Sequence, residues 1–137
     1  MTFDVQGAAI EFLTPPEEEP SVMRGTIPAR MTVPLHSHAD PETFVVLSGH
    51  AEGLVDGRWV RLEPGDFLNV PSGAKHGWRN LGDEPAVMIV VSTAKMARFF
   101  REISGGGPAH FLATSERYGY WNATPEESAA AGIPFSP

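Results

Sequence analysis

The residues in this 137-residue chain best suited to chemistry are three histidines and a glutamate, in the order His36-Ser37-His38, Glu42 and, much later, His76. Neutral imidazole nitrogens and carboxylate oxygens ligate divalent transition metals. On an extended strand residues i and i+2 project to one face, so His36 and His38 can converge on one ion. Glu42 has the same parity, yet a straight strand would carry it about 13 Å beyond His38, too far for joint ligation. The chain must therefore turn at Ala39-Asp40-Pro41, where proline cannot serve a central ladder. His76 lies in a separate segment and needs a fold that closes over the first. The other two histidines, His50 and His110, are read as surface residues. Phe44 and Trp78 stand two residues beyond Glu42 and His76, on the same parity. They are expected to face the same interior, as walls of a substrate pocket or as ordinary core.

The elements that must hold these residues are short. Strand-like runs span 21–27, 30–35, 43–47, 51–55, 58–62, 67–70 and 86–92, punctuated by Ser48-Gly49, Asp56-Gly57, Pro64-Gly65-Asp66, Ser72-Gly73 and Gly82-Asp83. Asp56-Gly57 is the clearest two-residue hairpin signal. Many short strands without intervening helices predict an all-β, antiparallel sandwich or barrel. Beyond Ser92 the pattern turns helical: Met96, Phe99, Phe100 and Ile103 form one stripe, ended by Gly105-Gly106-Gly107. A further helix is predicted from a Thr124 cap, with Pro125 and Glu127 in the first turn, through Ala131 to Gly132. The reading is one domain over 1–137, with a barrel core at about 21–92 and a helical tail at 93–137. The polar, Pro-rich 14–20 segment sets off an apolar N-terminal stretch, Ala8 to Leu13.

Composition narrows the function. With no cysteine, thiolate metal sites, disulfides and cysteine nucleophiles are excluded. Fourteen Gly and thirteen Pro fit a turn-rich β fold better than a helical bundle. A net charge of −7 with dispersed basic residues argues against a nucleic-acid partner. No apolar run approaches the ~20 residues that span a bilayer, and Met1 to Ile10 lacks the pattern of a signal peptide, so a cytoplasmic location is expected. Exposed sheet edges suggest a homodimer, with Ala8–Leu13 as the segment to cover them.

Two motifs give a resemblance. The pattern G-x5-H-x-H-x3,4-E-x6-G is met by His36, His38, Glu42 and Gly49, with Arg30 in place of its leading glycine, a turn position. The pattern G-x5-P-x-G-x2-H-x3-N is met by Gly65, Pro71, Gly73, His76 and Asn80. Over about 23–92 the chain resembles the cupin superfamily, in its compact single-barrel form. The tail, with Tyr118-Gly119-Tyr120, is similar, less specifically, to those of bacterial quercetin dioxygenase-like cupins. The resemblance implies a double-stranded β-helix, or jelly roll, with one divalent ion per chain (Fe, Mn, Ni, Co, Cu or Zn). His36, His38, Glu42 and His76 carry over as its ligands and Asn80 as a motif residue without a ligand role. It also implies a metal-dependent enzyme acting on a small organic molecule, dioxygenase chemistry foremost, with Glu42 as the catalytic group. A non-oxidative isomerase or decarboxylase is the alternative, as is a binding or sensing module without turnover.

Overall fold

The computed structural model describes residues 2–133. Two antiparallel sheets face each other. The first is built from β1 (Thr2–Val5), β2 (Ala8–Phe12), β3 (Ser21–Ile27), β10 (Ala86–Ser92), β5 (Glu42–Ser48) and β8 (Phe67–Val70), in that spatial order. The second runs β11 (Trp121–Asn122), β4 (Met31–Ser37), β9 (His76–Asn80), β6 (Ala51–Val55) and β7 (Arg58–Leu62). This is the expected jelly-roll arrangement, as two facing sheets and not as a closed barrel.

Strict alternation makes the core. In β3, β5 and β10 every second residue is buried, and Met23, Phe44, Met88 and Val90 from the first sheet meet Ala51, Leu62 and Trp78 from the second. The turns follow their residues. Asp56 and Gly57 both take positive φ, 47° and 82°, as a two-residue hairpin between β6 and β7 demands. Arg30, in the place of the motif's glycine, also holds a left-handed φ of 59°. Its guanidinium pairs with the Asp83 carboxylate across the loops. Asn80 earns its motif position structurally: fully buried, it donates to the carbonyls of Ile27, Pro28 and Glu84 and accepts from Gly82 N–H. It thereby ties three chain segments together at the far end of β9.

The N-terminal stretch departs from expectation. Ala8–Phe12 is an interior strand of the first sheet, paired with β1 on one side and β3 on the other, and Ile10 is buried in the core. It is therefore already paired within its own chain and is not free to cover an edge of a second copy. β1 itself was not foreseen, because a run of four residues interrupted by Asp4 gives little periodic signal.

Among the described residues, β10 is followed by the helices α1 (Ala94–Ile103), α2 (Pro108–Tyr118) and, after β11, α3 (Pro125–Ala130). The Thr93 hydroxyl accepts from Met96 N–H to cap α1, whose Met96, Phe99 and Ile103 are buried as the stripe requires. Thr124 and Glu127 form the reciprocal capping box of α3. No described helix is long and apolar enough to cross a membrane.

Candidate metal centre

His36 reaches the site because β4 is irregular. Met31 pairs with Asn80 and Val33 with Trp78, but His36 pairs with His76. The partner numbers sum to 111 before Pro34 and to 112 after Leu35, so β4 carries one extra residue between them. Pro34 has no N–H to give a ladder, which makes this the natural place for a bulge. Without it, Val33 and His36, three residues apart, would face opposite sides of the sheet. With it, both line the same cavity.

The tail completes the bulge. Leu35 N–H donates to the Ser128 hydroxyl at 3.1 Å, and Leu35 C=O accepts from Ala123 N–H at 3.0 Å. Asn122 of β11 lies opposite His36. Ile133 packs against Gly77, the neighbour of His76, where a Cβ would come within 2.5 Å of its side chain. The buried Ser128 therefore supports the backbone that aims His36. Ser128→Ala is expected to weaken divalent-metal binding by about tenfold, the lower end of effects for outer supports of metal ligands. Ser128→Thr should retain the parent affinity. Competition against a chromogenic chelator measures both, and equal affinity in the Ala variant would show that the bulge holds without the hydroxyl.

His38 and Glu42 flank the Ala39-Asp40-Pro41 turn, and Glu42 opens β5. The turn is pinned from three sides. Gly73 N–H donates to His38 C=O at 2.8 Å, the Ser92 hydroxyl donates to Pro41 C=O at 2.9 Å, and the Thr93 hydroxyl donates to the Asp40 carboxylate. Tyr120 rests its ring 5.2 Å from that of His38. Burial and the nearby Asp40 carboxylate push its phenol pKa up, so it stays protonated.

The ligand-capable atoms of His36, His38 and His76 all lie within 4.8 Å of one another. Glu42 Oε1 stands 3.0 Å from His38 Nε2 and 3.2 Å from His76 Nε2. Each imidazole commits its Nδ1 to a backbone carbonyl two residues away: Pro34 at 2.7 Å, Asp40 at 2.8 Å and Ala74 at 2.9 Å. With Nδ1–H as donor, the neutral ring turns its Nε2 lone pair inward, the tautomer a metal needs. Lone pairs of two imidazoles and a carboxylate then converge at about hydrogen-bonding distance with no proton left to join them. Only a positive charge at the centre, a proton or a metal ion, makes the arrangement favourable, so the residues fit a divalent cation.

The electrostatics agree. Desolvation lowers the His36 pKa to about 3, helped by the neighbouring His76, which leaves the ring neutral. Burial alone would raise the Glu42 pKa, but the hydrogen bonds and charges of His38 and His76 outweigh it and hold it at about 2. Burial works against a charged His38 as well, and there the Glu42 hydrogen bond and charge win, carrying its pKa above the ordinary value.

The cluster lines a cavity of about 200 Å³ whose other lining residues come from both sheets and from α1 and α2. Phe44 and Trp78 both line it, edge to face with ring centres 4.9 Å apart, while each also belongs to the core. His50 and His110 lie outside this grouping, and His110 Nε2 is bonded to Glu102 C=O at 2.8 Å. Sequence reasoning missed the bulge and the tail's part in holding it. A proline inside a strand that also carries a ligand pair was the available signal.

Residues 23–92 match the family model for the cupin domain, and the chain belongs to that family. Its relatives include dimethylsulfoniopropionate lyase DddQ of Ruegeria pomeroyi, 38% identical over 66 residues, 47% of this chain and 32% of the lyase. Quercetin 2,3-dioxygenase of Bacillus subtilis is 31% identical over 71 residues, 52% of this chain and 21% of that enzyme. The chain thus spans a third or less of either enzyme. A conserved-barrel cupin of Salinispora arenicola, 19% identical, superposes with a TM-score of 0.60 over 85% of this chain and 90% of its own, a likeness of fold.

Proposed function

We propose that this cupin is a metal-dependent enzyme for a small organic molecule, with His36, His38, His76 and Glu42 as the ligands of one divalent ion per chain. The observation that carries the reading is the inward turn of three Nε2 lone pairs and one ionised carboxylate lining an apolar cavity. A divalent ion held there supplies Lewis-acid polarisation of a substrate oxygen, or a position at which O2 and substrate meet.

The chain's own residues do the rest. The imidazoles are held by carbonyls, so the cluster is fixed before substrate arrives. Glu42 keeps its negative charge while His38 and His76 hold it. Released from them, its pKa returns toward that of an ordinary carboxylate and it can take a proton from substrate. The apolar walls exclude water from the reacting end.

Oxygenase chemistry is the first assignment, supported by the quercetin dioxygenase relative. Non-oxidative elimination or decarboxylation is the second, favoured by the lyase relative, whose match is the more identical of the two. The deciding experiment is elemental analysis of protein purified without chelator or nickel affinity, followed by a substrate screen under air and under nitrogen. Turnover that stops under nitrogen supports the first, and turnover that continues supports the second. Metal-loaded protein that binds ligands and converts none would be a sensor.

A homodimer is also proposed. Phe67 on the edge strand β8 is 67% exposed and Leu47 on the adjacent β5 is 47% exposed, an apolar edge that pairing would cover. Light scattering is expected to give a two-chain mass, and a one-chain mass at working concentration would dismiss it.

A further inference from the structure

Building on the metal reading above, we infer that the substrate is a compact molecule with a single oxygen-bearing end and an uncharged, apolar body of about ten non-hydrogen atoms. The size comes from the cavity. Its volume of about 200 Å³ lies below the range of roughly 300 Å³ upward that holds drug-sized ligands, and not far above an apolar cavity of about 150 Å³ that takes benzene. One ring or a short branched chain fills it, and a multi-ring flavonol does not.

The charge limit comes from the walls. No Lys or Arg lines the cavity among the described residues. Beyond the cluster the lining is mostly apolar, with Ile27, Met31, Val33 and Met88 from the sheets and Phe100 and Phe111 from the helices. An anionic oxygen is compensated at the metal, but a second charge elsewhere in the cavity would be desolvated without an opposite charge to pair with. The aromatic rings do not offer a cage for a cation. Phe44 and Trp78 are engaged with each other edge to face, and Phe99 is engaged by Phe111, Tyr118 and Tyr120.

A set of ligands alike in shape tests this. 4-Methylpentanoate and dimethylsulfoniopropionate share a carboxylate head and a branched end, and differ in that the second carries a sulfonium where the first has a carbon. Glutarate is of similar length with an anion at each end, and quercetin serves as the oversized probe. Each is titrated into the full chain loaded with zinc, which is redox-inert, so calorimetry reads binding without turnover. 4-Methylpentanoate is expected to bind at least tenfold more tightly than each of the other three. Equal or tighter binding of dimethylsulfoniopropionate or glutarate overturns the charge limit, and equal or tighter binding of quercetin overturns the size limit. Failure of 4-methylpentanoate to bind a protein that holds zinc overturns the inference as a whole. Met31→Lys, which places an ammonium in the wall away from the cluster, is expected to tighten glutarate binding at least tenfold, and no gain in a folded variant counts against the charge limit.

Zinc content, measured first by elemental analysis, reads the metal assignment separately. If no zinc is taken up, that assignment fails while the wall argument remains. The neutral 4-methylpentan-2-one then replaces 4-methylpentanoate against the same three competitors, with the same outcomes decisive.

Discussion

His76→Ala protein is expected to emerge from purification with less than about a tenth of an ion per chain, where the parent holds close to one. His76 is almost wholly buried, opens β9 and presents Nε2 to the cluster while Ala74 C=O fixes its Nδ1. If four ligands share about 12 kcal/mol of metal-binding free energy, losing one weakens affinity by about two orders of magnitude. The loss also leaves Glu42 with His38 as its one remaining imidazole contact. Elemental analysis after dialysis against a weak chelator measures the effect, with circular dichroism to show that the sheets persist. His110→Ala is the control, since its ring is bonded to a helix carbonyl far along the chain and should cost no metal. A His76→Ala protein that kept a full equivalent would place the ion, if there is one, elsewhere.

The residues that meet at the cluster could be read from the chain because their spacing follows from strand geometry. The i, i+2 parity of His36 and His38, and the need for a turn before Glu42, are local statements, and the structure realises both. Strands β3 to β8 and β10 and the α1 and α3 helices were legible for the same reason: alternation, a helical stripe and a capping box are patterns of period two or about 3.6, whereas β1, β9 and β11 were not read as strands. What escaped was non-local. The bulge at Pro34-Leu35 depends on what satisfies Leu35, and the partners, Ala123 and Ser128, lie some 90 residues further on. α2 was missed because its exposed Leu112 and weak apolar stripe leave little periodic signal. Its ends were nevertheless marked, by Pro108 in the first turn and by Gly119, which takes a left-handed φ of 77°. The role foreseen for Ala8–Leu13 failed for the opposite reason. An apolar strand says that it will be paired, but not whether its partner is its own chain or another.

Glu42→Gln is expected to separate holding the metal from using it. Gln keeps the shape of the side chain and one carbonyl oxygen toward His38 and His76, and three imidazoles alone retain a divalent ion in many proteins. Binding should therefore weaken without being lost, and saturating metal should restore full occupancy. Turnover should fall further, by about a hundredfold or more at equal occupancy, the range for removing a positioned acid–base group. Two changes act together. The variant removes the negative charge that the buried carboxylate, with its pKa near 2, holds against the ion. It also removes the oxygen that could accept a proton once freed from His38 and His76. The measurement is the single-turnover rate of parent and variant, each loaded to one ion per chain, on whichever substrate the aerobic and anaerobic screen yields. A loaded Glu42→Gln protein that turned over as fast as the parent would reduce Glu42 to a spectator ligand, and the proton would then have to leave through another group or through solvent.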